Sequence, residues 1–308
     1  MQKKDVKAAT HWYRLAAASN IVEAQLALAA ILTSGEIGAP NISSAIENIS
    51  AAANRGFPHA QYELGVAYDL GVGVTQNYAT AAAWYEKAAI SGVIEAKYNL
   101  GTLYEDGLGV PRNYDQALVH YQEAAQSGSN LAENNIGNLY KNGLGVEKNY
   151  DLAIEWYQKA ASSGLAVAQY NLGIMYQLGL GVERDLKIAA TFYRYAATQG
   201  YQPAQNNLAI LLANGWGVKR DFKEAMKWLT LVTYGAEEKI AKQAEDNINT
   251  LSLKLLGDKD TVIQAYENKN IVKNNGTFTA HIEREAPLPL RTLNFNHTVV
   301  VLQRLLRE

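Results

Sequence analysis

A Gly-x-Gly-Val string recurs in this chain at a spacing of 36 residues without a slip: Gly71-Val72-Gly73-Val74, Gly107-Leu108-Gly109-Val110, Gly143-Leu144-Gly145-Val146, Gly179-Leu180-Gly181-Val182 and Gly215-Trp216-Gly217-Val218. An alanine is locked to the same register at Ala24, Ala60, Ala96, Ala132, Ala168 and Ala204. A fixed period of about 20 to 50 residues marks units that cannot bury their own apolar faces and must stack on their neighbours. Architectures of that kind usually bind other molecules and rarely do chemistry, so the period bounds function as well as fold.

Each period reads as two helices. In the first, Ala96, Leu100, Leu103 and Tyr104 fall on one apolar stripe of helical spacing. Gly101 lies off that stripe, where a missing side chain lets a neighbour approach. Gly107 and Gly109 then end the helix, because glycine tolerates the left-handed backbone that helix ends often need. The second helix opens at Asn113, a favoured N-cap residue, runs through Ala117, Tyr121, Ala124 and Ala125, and ends at Gly128. The same pattern returns at Trp84-Tyr85, Trp156-Tyr157 and Phe192-Tyr193, with alanine pairs at Ala88-Ala89, Ala160-Ala161 and Ala196-Ala197.

The string Ala-x-x-x-Leu-Gly-x-x-Tyr-x-x-Gly-x-Gly-Val, followed by Trp-Tyr-x-x-Ala-Ala and Gly, resembles the Sel-one-like repeat family, relatives of the tetratricopeptide repeats. The resemblance covers roughly residues 5 to 239. It implies an all-α fold, a right-handed superhelical solenoid of about six 36-residue helical hairpins with a concave inner face. It also implies an adaptor that holds a protein or peptide. Bacterial members are often periplasmic or secreted and serve envelope maintenance or host contact. The alternative implied function is therefore control of a cell-wall-processing enzyme, or contact with host proteins.

The ends depart from the pattern. Residues 1–20 match only the second half of a unit, with Asp5, Ala9, Trp12-Tyr13 and Ala16-Ala17 in register. A half repeat leaves one apolar face bare, so the expectation is a fragment of a longer array with any export signal upstream. Met1-Gln2-Lys3-Lys4 itself has no apolar stretch behind it and does not read as a signal peptide. Residues 24–239 hold six repeats, of which the outer two are worn. Gly35-Glu36-Ile37-Gly38 replaces the first turn, Asn48-Ile49 the first aromatic pair, and Ala209 the last helix glycine. Worn terminal units are what caps look like. Residues 240–308 are then a capping helix and tail, the helix reading over 237–256 from Ile240, Ala244 and Ile248. In the tail, a short helix over Asp260 to Glu267, a turn at Asn274-Asn275-Gly276, extended chain at Pro287-Leu288-Pro289 and an apolar run from Thr298 to Leu302 are expected.

Composition removes several classes of function. Lys and Arg number 28 against 30 Asp and Glu, a net charge of −2. That leaves no positive excess to hold a nucleic-acid backbone. Cysteine is absent, so disulfides, thiolate catalysis and cysteine zinc sites are out. No run approaches the ~18 apolar residues of a membrane span. The Gly-x-Gly turns lack phosphate-loop spacing and follow no predicted strand. The histidines His11, His59, His120, His281 and His297 never pair at helical spacing, and His120 sits at the aromatic core position. No nucleophile stands in a recognisable arrangement with a base, so neither catalysis, cofactor nor metal is expected.

If the first helices face inward, as the resemblance implies, the stripe opposite their core lines the concave surface. That stripe holds Tyr62, Val66 and Asp69, then Tyr98, Thr102 and Glu105. It continues through Asn134, Asn138 and Lys141, then Tyr170, Ile174 and Gln177, and ends at Asn206 and Ile210. These positions vary while the core positions do not, which suits recognition of something irregular, and tyrosine is a good anchor for it. The competing reading is that several of them simply cover the neighbouring helix. A second ladder, Asn99, Asn135, Asn171 and Asn207, recurs at the same period. Asparagine is unfavourable inside a helix, so hydrogen bonds to the backbone of an adjacent unit are expected there.

Overall fold

The computed structural model describes residues 6–34, 38–233 and 238–255. Among the described residues there are fourteen α-helices and no strand. The expectations for the turn at 35–37 and for the tail from 257 onward lie outside them.

The chain divides into two compact units at Ser129/Asn130, which is a repeat boundary. The first begins with a lone helix α1 (Val6–Ala18) and continues as the hairpins α2 (Val22–Ser34)/α3 (Ile42–Asn54), α4 (Pro58–Leu70)/α5 (Tyr78–Ile90) and α6 (Ile94–Asp106)/α7 (Tyr114–Gln126). The second contains α8 (Asn130–Asn142)/α9 (Tyr150–Ser162), α10 (Ala166–Leu178)/α11 (Leu186–Thr198) and α12 (Gln202–Asn214)/α13 (Phe222–Thr233), followed by α14 (Glu238–Leu255). Within each unit every helix packs on the helix before and after it, and α14 also reaches α12.

Local chemistry explains the uniformity of the hairpins. Gly107 caps α6 in the left-handed conformation (φ 70°), and Leu108 N–H closes back on Leu103 O at 3.0 Å. Gly109 is also left-handed (φ 69°), and it has a second duty. A Cβ there would stand 2.2 Å from the backbone carbonyl carbon of Tyr78, so the turn rests directly on the start of α5. The chain then reaches Asn113, whose own N–H donates to Tyr104 O at 2.9 Å while its side chain accepts from Gln116 N–H at 3.1 Å. One residue thus staples the turn to the first helix and caps the second. Asn41, Asn77, Asn149, Asp185 and Asp221 do the same at the same period. Loss of such a cap costs about 1 kcal/mol.

The core is built from the expected positions. Ala60, Ala96, Ala132, Ala168 and Ala204 are sealed from solvent, as are Tyr85, Tyr121, Tyr157 and Tyr193. The glycine in the middle of each first helix makes room above all for the tyrosine ring, and at Gly101 and Gly137 also for a backbone carbonyl of the second helix, Ala117 O at 3.3 Å and Ala153 O at 3.2 Å. A Cβ on Gly101 would lie 2.7 Å from Cδ1 and Cε1 of Tyr121. Gly65, Gly137 and Gly173 stand in the same relation to Tyr85, Tyr157 and Tyr193. In the worn repeats both partners change together: Ala29 shares a core cluster with Ile49, and Ala209 with Leu229. Where the ring is gone, the extra methyl fits.

The end helices differ from each other. On α14, Ala244 is buried with Ile240 and Ile248 half-buried beside it, in the cluster built on α12 and α13. On α1, Trp12 is 68% and Leu15 51% exposed, whereas Trp84, two periods on from Trp12, is half-buried.

A candidate binding face on the first helices

The fourteen stripe residues all lie on first helices, and none is fully exposed. Tyr62, Glu105, Asn138, Tyr170, Gln177 and Ile210 are half-buried. Val66, Asp69, Tyr98, Thr102, Asn134, Lys141, Ile174 and Asn206 are buried.

The cause of this burial is the tyrosine of the second helix. Because each ring slides over a glycine, its hydroxyl emerges on the stripe side of the first helix and needs an acceptor there. Tyr85 Oη donates to Asp69 Oδ2 at 3.0 Å and Tyr121 Oη to Glu105 Oε2 at 2.7 Å. Tyr193 Oη donates to Gln177 Oε1. Each acceptor precedes its donor by 16 residues. The α8/α9 repeat breaks the rule: Tyr157 Oη donates to Asn138 Oδ1 at 2.7 Å, 19 residues back. Lys141 occupies the vacated register and could not have accepted the bond.

Ring contacts occupy the start of the stripe. Tyr62 packs on Tyr85, Tyr98 on Tyr121 and Tyr170 on Tyr193, with centroids 5.9, 5.7 and 5.7 Å apart. Tyr170 also meets Tyr201 at 5.2 Å. Such pairs add about 0.5–1.5 kcal/mol beyond area burial. In the α8/α9 repeat Asn134 replaces the tyrosine, and its Oδ1 accepts from Asn171 Nδ2 at 2.9 Å. Asn206 accepts in the same way from Asn247 at 2.8 Å. At Asn171 the asparagine ladder departs from the backbone bonding expected of it. Asn171 bonds a side chain of the preceding repeat, while Asn99 and Asn207 lie against the hydroxyls of Tyr62 and Tyr193.

Two buried ionisable groups stand out. Glu63, on α4, is 5% exposed. Burial, reinforced by the neighbouring Glu95 carboxylate, pushes its carboxyl up to about 8. Lys141, on α8, is 6% exposed, and burial alone draws its amine down to about 8. Its Nζ sits 5.9 Å from the centre of the Tyr157 ring. Among the described residues no carboxylate lies within ion-pair distance of it.

The other candidates are structural in their surroundings. His120 is half-buried and stacks on Tyr104 at 5.5 Å, 15° between planes. Two periods on, Phe192 stacks on Tyr176 in the same way. The first glycines of the turns cap helices. No group of three or more His, Asp or Glu side chains is placed to hold a metal ion among the described residues. A surface recess of about 310 Å³ is lined by Pro58, His59 and the turn from Ser91 to Glu95, without a nucleophile paired to a base. No helix among the described residues is long and apolar enough to cross a membrane.

The hydroxyl donors Tyr85, Tyr121, Tyr157 and Tyr193 were the residues missed as part of this face. Their signal was available in the constant 16-residue offset to Asp69, Glu105 and Gln177.

Consecutive helix pairs with glycine-capped turns and a shared core register define an α-solenoid repeat protein of the tetratricopeptide-like class. The Sel1 repeat profile matches residues 1–21, 22–57, 58–93, 94–129, 130–165, 166–201 and 202–231. The chain therefore belongs to the Sel1 repeat family, whose members are generally scaffolds for protein interaction. Among solved structures it is similar to c5321, a protective antigen of uropathogenic Escherichia coli with this repeat fold, at 29% identity and a TM-score of 0.69. That match covers 86% of this chain and 61% of the antigen, so the chain spans less than two thirds of that neighbour's length. It is also similar to a Sel1 repeat protein from Oxalobacter formigenes, at 28% identity and a TM-score of 0.59 over 67% of this chain and 93% of that one. No curated sequence matches the chain at a significant level.

Proposed function

We propose that this protein is a non-enzymatic adaptor that binds a protein or peptide along the stripe carried by its first helices. The observation behind this reading is the contrast between constant and variable positions. The tyrosines, glycines and alanines of the core repeat with little change, while the three stripe registers run Tyr62, Tyr98, Asn134, Tyr170, Asn206, then Val66, Thr102, Asn138, Ile174, Ile210, and Asp69, Glu105, Lys141, Gln177. A rigid scaffold with varied side chains at fixed intervals suits an irregular chain better than a repetitive or small ligand.

The test is capture from native bacterial extract with the full chain as bait. Tyr62→Arg and Ile210→Arg place charges on the stripe, and Glu86→Arg and Glu155→Arg place them on exposed second-helix positions. Circular dichroism establishes that each variant is folded. Stripe variants should lose the captured protein and the second-helix variants should retain it. The opposite pattern would refute the reading.

A second reading is favoured by the antigen neighbour: an exported bacterial protein that meets host molecules or regulates an envelope enzyme. Fractionation of the native host should then recover the protein outside the cytoplasm, and recovery in the cytoplasm alone would exclude it.

A further inference from the structure

The α8/α9 repeat carries two coordinated departures on one helix face. At the register where Asp69, Glu105 and Gln177 accept a tyrosine hydroxyl, α8 has Lys141. One turn earlier, where the other repeats carry Val66, Thr102, Ile174 and Ile210, it has Asn138, and Tyr157 donates there instead. The hairpin's internal demand is thus met without Lys141. Lys141 is 6% exposed, its Nζ sits 5.9 Å from the centre of the Tyr157 ring, and no carboxylate of the described residues lies within ion-pair distance of it. A buried cation without a counter-charge costs free energy wherever it does nothing. At a register where Asp69, Glu105 and Gln177 are each engaged by a tyrosine hydroxyl, Lys141 is a receptor waiting for an anion.

We infer that Lys141 is a specificity-determining contact that takes the side-chain carboxylate of an aspartate or glutamate in the bound peptide. Charge complementarity selects the occupant. A carboxylate reaching Lys141 gains a charge-assisted bond in a poorly solvated site and relieves the burial cost already present. The inference rests on the first-helix reading above, and it adds the chemistry of one position in the ligand.

The probe is a library of random peptides displayed with blocked C-termini and selected on the full chain. Selection on the wild type should enrich an acidic residue at one fixed position, and selection on Lys141→Met should not. For a selected peptide synthesised with an amidated C-terminus, Glu→Gln should weaken binding to the wild type about tenfold or more, as expected for a desolvated charge pair. The same change should leave binding to Lys141→Met within about twofold. The midpoint of thermal unfolding of Lys141→Met at pH 7 should be no lower than that of the wild type, which separates a lost contact from a lost fold. Peptides without acidic enrichment, or with equal enrichment on both proteins, overturn the inference and leave the first-helix reading standing. A selection that returns no peptide competing at the first helices overturns both.

Discussion

Gly137→Ala tests the packing rule that organises the whole stripe. A Cβ at Gly137 would lie 2.6 Å from Tyr157 Cε1, 2.7 Å from Cδ1 and 3.2 Å from Ala153 O. The ring is sealed in the core and tied at its far end to Asn138, so it cannot swing clear. Overpacking of this kind costs about 1–3 kcal/mol. Against it, alanine is the better helix former by about 1 kcal/mol. The net expectation is a loss of up to about 2 kcal/mol in the wild-type background. In a Tyr157→Leu background the obstruction is gone, and the same substitution should gain up to about 1 kcal/mol. The coupling between the two sites is then roughly 1–3 kcal/mol. The chain already contains the product of this cycle, since Ala209 is paired with Leu229 and Ala29 with Ile49. Urea unfolding followed by far-ultraviolet circular dichroism, with Trp156 fluorescence to report the second unit, measures all four corners. Equal effects of Gly137→Ala in both backgrounds, or a more stable single variant, would refute the argument that the glycine exists to seat the ring.

Glu63 should make the first unit less stable as pH rises. Its carboxyl holds a proton in the folded state up to about 8 that an unfolded chain releases near 4.5, so stability is complete below about 4.5 and declines toward 8, by at most about 5 kcal/mol. Glu63→Gln should flatten that slope in unfolding midpoints measured from pH 4.5 to 8, and an unchanged slope would assign it elsewhere. Lys141 has the opposite sign. Its amine is charged in both states below about 8, so the second unit bears the full burial cost there and recovers up to about 3 kcal/mol as pH rises toward 10.5. Lys141→Met should remove this rise, measured in the same way. Asn171→Ala cuts the side-chain bond to Asn134 and should cost about 1–2 kcal/mol, read as faster amide exchange in α8 and α10. Unchanged exchange would show that the bond does not couple the two repeats.

The period, the helix boundaries and the core were legible because each follows from local chemistry repeated at a fixed distance. Gly107 as a helix stop and Asn113 as a cap need only neighbouring backbone to act, and an apolar stripe such as Ala96, Leu100 and Leu103 needs only helical spacing. The burial of the opposite stripe was not legible from one helix at a time. Asp69 and Glu105 look like solvent-facing positions until the second-helix tyrosine is placed over the glycine and its hydroxyl is followed through to the other side. Gly101 reads from the sequence as a place where a neighbouring helix comes close, and α7 does so through the Tyr121 ring and the Ala117 carbonyl, a division that periodicity does not specify.

That passage of a hydroxyl under the first helix sets the terms on which the stripe can vary. Three repeats must offer an acceptor 16 residues before the tyrosine, and aspartate, glutamate and glutamine all serve. Charge on the stripe is therefore free to change from repeat to repeat as long as an oxygen remains. A basic residue is forbidden at that register unless the acceptor moves, because an ammonium only donates. The α8/α9 repeat meets the condition by moving the acceptor to Asn138. A lone Lys141 could donate to the tyrosine oxygen but would leave the sealed hydroxyl hydrogen without an acceptor, at about 1–3 kcal/mol. The two substitutions are therefore coupled: Lys141 can stand at that register because Asn138 takes the hydroxyl, and that coupling is the ground for assigning the cation to the ligand rather than to its own hairpin.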